Sequence, residues 1–158
     1  MPALTPTQTI GPFPHEAWQW AIEASASGPL RIQGRLLDGA GQPVDDGWVE
    51  AFVPGAAAPA FVRCATGAQG EFSLALPATA GGAGEPAAWI TVFARGLLQH
   101  QFSAVFLGDA PTLATAPLLA QLPEERRATL IARRDGVNGY RWDIHLQGEH
   151  ETVFLDFE

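Results

Sequence analysis

One arginine stands apart in this sequence. Arg95 closes the run Trp89-Ile90-Thr91-Val92-Phe93-Ala94, and no other lysine or arginine falls between Arg63 and Arg126. A guanidinium stays charged and offers a planar fork of donors that matches a carboxylate, so an isolated arginine at a strand end is a candidate anion clamp. The competing assignment is a surface arginine paired with a nearby acid, since arginine is seldom fully buried.

The other reactive residue types do not assemble into a catalytic set. A metal site needs histidine, cysteine or carboxylate ligands gathered on one face. His15 falls in an N-terminal arm, His100 and His145 on separate expected strands, and His150 in a Gly-Glu-rich turn. Arg141, Asp143, His145 and Gln147 share one strand face, and such alternation ordinarily marks a solvated sheet surface. Cys64, the only cysteine, falls within an expected strand, where a small core residue is the natural assignment. No Gly-x-Ser-x-Gly elbow is present, and Gly81-Gly82-Ala83-Gly84 does not lie between a strand and a helix as a phosphate loop must. Glu124 and Glu125 read as first-turn helix acids rather than a catalytic pair.

Composition narrows the class further. The 158 residues suit one domain, and the nine basic residues, all arginine, stand against 17 acids for a net charge of -8. That balance argues against nucleic acid or an anionic membrane as partner. A single cysteine allows no intrachain disulfide and suits a reducing cytoplasm. No apolar run approaches the ~18 residues of a membrane span, and the first residues carry no secretory pattern, so a soluble cytoplasmic chain is expected.

The elements that must position these residues are mostly strands. Residues 1–28 form an arm and linker: Thr5 to Pro14 alternates prolines with hydroxyl residues and must be extended, and Ile10, Phe13, Trp18 and Trp20 give the arm apolar surface to bury. Residues 29–158 form the domain. Expected strands are Leu30 to Leu36, Trp48 to Val53, Phe61 to Ala65, Glu71 to Leu76, Trp89 to Phe93, Leu97 to Leu107, Tyr140 to Gln147 and Thr152 to Phe157, separated by Gly/Pro-rich turns. In the sixth, Phe102, Ala104 and Phe106 form the apolar side. Pro123 with Glu124-Glu125 and the later Arg133-Arg134 predicts one helix of about three turns. About eight short strands, one helix and an extended arm make an all-β chain, a β-sandwich.

Several of these pieces resemble one family. Thr5-Pro6-Thr7-Gln8-Thr9-Ile10-Gly11-Pro12-Phe13 resembles the Thr-Pro-Ser-Gln-Thr-x-Gly-Pro-Tyr arm of the protocatechuate 3,4-dioxygenases. Phe93-Ala94-Arg95-Gly96, Leu130 to Arg134, Tyr140 to Glu149 and the ending Glu151 to Phe157 resemble the α chains of that family, and the likeness runs over nearly the whole sequence.

The resemblance implies a hetero-oligomer of α and β chains, both intradiol-dioxygenase-like sandwiches, in which non-haem Fe(III) is held by two tyrosines and two histidines of the β chain only. The two histidine positions correspond here to Ala87 and Trp89. The tyrosine regions correspond to Pro54–Phe61 and Ala78–Glu85, which contain no tyrosine, and Tyr140 is the only one in the chain. An iron-free partner, with no cofactor of its own, is therefore implied. It would complete the pocket in which the β subunit opens a dihydroxybenzoate ring with O2 to 3-carboxy-cis,cis-muconate. Thr9, Gly11, Pro12 and Arg95 are the positions the resemblance places beside the substrate carboxylate. Phe13 stands where the family has tyrosine, and the stretch from Val53 to Pro86 is shorter than usual. The rival from another class is a non-catalytic β-sandwich module that grips a ligand or protein with Phe13, Trp18 and Trp20; an independent iron enzyme fails on ligand count.

Overall fold

The computed structural model describes residues 20, 28–53, 60–78 and 84–156. Nine strands are found there: β1 (Leu30–Leu37), β2 (Trp48–Val53), β3 (Ala60–Ala65), β4 (Glu71–Leu76), β5 (Ala88–Phe93), β6 (Gln101–Leu107), β7 (Ile131–Arg134), β8 (Gly139–Arg141) and β9 (Ile144–His145). They follow the order β3-β2-β5-β6-β7-β8-β1-β4, with β9 added beside β1. The terminal strands β3 and β4 touch without forming a ladder. The sheet thus curls until its halves, β3-β2-β5-β6 and β7-β8-β1-β4, face each other across one core.

Alternation builds that core. In β1, Ile32 and Leu36 are fully buried while Arg31, Gln33 and Arg35 are exposed, the period of two that a half-buried strand shows. They meet Val49, Ala51, Val62, Leu74, Ile90 and Val92 from the other strands in a single cluster. Each of the larger aliphatics contributes about 1.5–3 kcal/mol relative to an exposed position. Gly34 lies in β1 where the backbone of Trp142 crosses closest, and a Cβ there would sit 1.6 Å from the Trp142 carbonyl oxygen.

Several local expectations need correction. The helix signalled by Pro123 is only α2, Glu124–Arg127, running into a 3-10 turn at Ala128–Leu130. Arg133 and Arg134 lie instead in β7, because pairing with both β6 and β8 outweighs helix propensity from Ile131 onward. A short helix not anticipated, α1, spans Pro117–Ala120. The sixth strand starts only at Gln101, after the turn at Arg95, and from Ser103 onward is buried on both faces. Val105 and Leu107 enter the main core, whereas Ala104 and Phe106 join a second cluster with Ala116, Leu119 and Leu130.

The expected strand from Tyr140 to Gln147 breaks at Trp142 and Asp143 into β8 and β9. The chain end forms no strand over its described part, only a bridge of Leu155 to Phe102. The expected arm and linker lie outside the described residues apart from Trp20 and Gly28. Among the described residues no helix is long and apolar enough to cross a membrane.

Candidate functional site

Arg95 occupies a tight turn at the end of β5. The Leu97 N–H donates to the Ala94 carbonyl at 3.2 Å, and Gly96 takes φ +89°, which is the positive third-residue dihedral of a type II turn. Register then supplies a neighbour. Trp48 of β2 pairs with Phe93 of β5 in an antiparallel ladder, so the residue two before Trp48 lies across from the residue two after Phe93. Asp46 is that residue, and Arg95 Nε lies 2.9 Å from its Oδ2. The contact is Coulombic more than directed, because Oδ2 is buried and receives no N–H in hydrogen-bond geometry. Asp46 is 7% exposed at its side chain and Arg95 60%. The surface-pairing alternative is therefore realised at Nε, and the same pairing fixes the head group beside open solvent. Thr9, Gly11 and Pro12, the other residues assigned to this site, lie outside the described residues.

The positions that the resemblance sets against iron ligands do not fit a metal. Ala87 is fully buried among apolar residues, and Trp89 packs against the second cluster with an indole that can only donate. Tyr140 is committed elsewhere: its hydroxyl donates to Asp109 Oδ1 at 2.7 Å and accepts from Arg134 Nη1 at 2.6 Å. Arg134 also bridges Asp109 at 2.8 Å. The Tyr140 bond holds Asp109 below the usual aspartate range. Burial first, then the bond to Asp109, push the phenol above its ordinary value. This triangle ties β7 and β8 to the turn after β6 and was not foreseen, since nothing in the spacing of 109, 134 and 140 marks it. Among the described residues no three histidine, cysteine or carboxylate side chains gather as a metal site would require.

The Arg141-Asp143-His145 stripe does come together around a cavity of about 410 Å3, with His150 and Arg133 beside it. His145 and His150 approach edge to face with ring centroids 6.0 Å apart. Glu124 and Glu125 are exposed in the first turn of α2, as expected of helix acids. Cys64 is partly buried, and desolvation raises its thiol pKa although the Ser73 N–H opposes that, so its chemistry is that of a packing residue.

No family model matches the chain. It is 33% identical to the protocatechuate 3,4-dioxygenase alpha chain of Burkholderia cepacia over 96% of each chain. It is equally similar to the alpha chain of that name from Pseudomonas putida, over 97% of this chain and 96% of the relative. The first alignment spans 190 positions against 158 residues, so the relative has segments this chain lacks. Among solved structures, hydroxyquinol 1,2-dioxygenase from Pseudomonas putida DLL-E4 superimposes with a TM-score of 0.57 at 13% identity, over 77% of this chain and 57% of that one. That likeness shows the intradiol-dioxygenase fold, and the near full-length identity shows the family: the chain belongs to the protocatechuate 3,4-dioxygenase alpha chains.

Proposed function

We propose that this chain is the iron-free partner in a cytoplasmic α/β hetero-oligomer, closing the substrate pocket of a protocatechuate 3,4-dioxygenase β subunit. The observation that carries the proposal is its 33% identity to two alpha chains across almost its full length, joined to a ligand set that cannot hold iron. The chain divides at residues 28 and 29 into an arm and a sandwich domain. In this assembly non-haem Fe(III) of the β subunit supplies the redox chemistry by which O2 opens the ring of 3,4-dihydroxybenzoate to 3-carboxy-cis,cis-muconate. This chain's residues bind and orient. The fork of Arg95 receives the substrate carboxylate, with Asp46 holding its Nε side, while Thr9, Gly11 and Pro12 of the arm cover the pocket and exclude water.

Co-expression with a β-type chain provides the test. A stable complex containing iron, with oxygen uptake on protocatechuate that neither chain supports separately, is the expected result. A chain that binds an aromatic ligand unaided and ignores the β chain would instead favour the binding module.

A further inference from the structure

Nine arginines are the chain's only basic residues besides histidine, and the structure divides them into two groups. Five have close partners: Arg63 with Glu50, Arg95 with Asp46 and Arg134 with Asp109, Arg126 with the Glu151 carbonyl and Arg127 with the Leu122 carbonyl. The other four are Arg31, Arg35, Arg133 and Arg141. Three of these four make no ion pair among the described residues, and Arg141 has only Asp143 at 3.9 Å.

All four lie on one sheet face. Gln33 has the same parity as Arg31 and Arg35 in β1 and pairs with Arg141, and Arg141 pairs in turn with Arg133. Two guanidinium-bearing residues directly opposite each other across a ladder repel. The acids nearest these arginines, Asp143 beside Arg141 and Glu71 opposite Arg35 in the β1–β4 ladder, are engaged in part by backbone amides. Asp143 Oδ1 accepts the Arg35 backbone N–H at 2.9 Å, and Glu71 Oε2 accepts the Gln69 N–H at 2.8 Å. Glu125 and Glu149 line the same cavity as Arg133 and Arg141 but ion-pair with neither.

Arg141 also separates two clefts of about 410 Å3 each. One reaches to Arg133, the other to Arg35 and Gln33. The second also reaches Ser73, whose buried hydroxyl has no hydrogen-bond partner. Four guanidinium groups on one face, three of them without an ion pair among the described residues in a chain of net charge -8, leave donors open to an anion from outside even though Glu125, Asp143 and Glu149 line the same cleft.

We infer that the Arg133–Arg141 pair is a binding site for a small multivalent oxyanion, a di- or tricarboxylate or a phosphate, bridged between the two guanidinium forks. Arg35 and Gln33 supply the outer donors. The site is separate from Arg95 and does not depend on the substrate proposed above.

The test is calorimetric titration of the full chain, in the assembly in which it purifies, with citrate, inorganic phosphate and acetate at matched ionic strength. Saturable binding of citrate or phosphate, and not of acetate, is expected, and whichever binds more tightly identifies the source chemistry. Arg133→Ala and Arg141→Ala should each weaken that binding on the order of 10- to 100-fold. Arg133→Lys should retain part of it, and Arg63→Lys, away from the site, should change it by less than about twofold. Melting curves of each variant without ligand establish that it is folded. Citrate and phosphate binding no more tightly than acetate, or binding unchanged in folded Arg133→Ala and Arg141→Ala, overturns the inference.

Discussion

Arg95 Nε stands 2.9 Å from Oδ2 of Asp46, an exposed guanidinium on a buried carboxylate. On the function proposed above, Arg95 has two duties, pairing with Asp46 and receiving the substrate carboxylate, which a comparison of two substrates separates. Arg95→Ala removes the proposed substrate fork and leaves Asp46 buried without its cation. Loss of a charge-assisted hydrogen bond to the carboxylate, roughly 1.5–3 kcal/mol, lowers kcat/KM for protocatechuate on the order of 10- to 100-fold. The fall should appear chiefly in KM, because a carboxylate remote from the cleaved bond is held alike in ground and transition states. Catechol, which lacks the group, should lose much less. Steady-state oxygen uptake by the α/β complex compares the two substrates, and equal losses for both would assign Arg95 a structural duty only.

Asp46→Asn keeps the fork and removes the charge that orients it. The neutral side chain relieves the cost of a buried carboxylate, so stability should change by less than about 1 kcal/mol. KM for protocatechuate should nonetheless rise several-fold through loss of orientation, with Arg95→Ala remaining the more severe lesion. Melting temperature and KM measured on the same preparation decide it; an unaltered KM would show that Asp46 does not position the fork.

The purified chain without its partner should hold no iron. Ala87 and Trp89 offer no ligand, and the Tyr140 hydroxyl is engaged by Asp109 and Arg134. Elemental analysis after incubation with iron, together with visible absorption, is the check. Stoichiometric metal with a tyrosinate charge-transfer band would contradict the assignment.

Strand alternation made most of the sheet legible in the sequence, because β1, β2, β4 and β5 each present one face to the main core. Three of the features that escaped did so for these physical reasons. β6 is covered on both sides, so its run of apolar residues did not say which face meets the main core. Arg133 and Arg134 look like helix C-terminal cations until β6 and β8 claim the segment as a strand. The pairing of Asp46 with Arg95 follows from a ladder register that no local pattern encodes, although the isolation of Arg95 was visible from its spacing alone.

Gly34 should tolerate no side chain. A Cβ would sit 1.6 Å from the Trp142 carbonyl oxygen, and the Trp142 N–H already donates to Gln33 at 2.9 Å, so neither backbone can retreat without breaking the junction of β1 with β8 and β9. Gly34→Ala should cost more than about 3 kcal/mol or prevent folding, well beyond ordinary overpacking. Denaturant unfolding or soluble yield reports it, and wild-type stability would mean that the strands do not approach this closely.

The last prediction concerns Tyr140, whose hydroxyl joins Asp109 and Arg134 in one triangle. Tyr140→Phe keeps the buried ring and removes one donor, so at neutral pH it should cost about 0.5–1.5 kcal/mol. Its pH signature is more specific. Asp109 is held below its ordinary value, first by the Tyr140 bond. Its stabilising contribution is therefore complete above the unfolded value, about 3.9, and is lost as pH falls through the lower folded value. Tyr140 is raised, first by burial, so its contribution is complete below about pH 10 and is lost as pH rises through the higher folded value. Removing the hydroxyl abolishes the alkaline component and shrinks the acidic one, which is small at the outset because Asp109 is 47% exposed. Thermal melts of wild type and Tyr140→Phe from pH 3 to 11 should therefore converge at both extremes and differ most between pH 5 and 9. A difference constant across the whole range would mean that the hydroxyl contributes packing and not the linked proton equilibria described here.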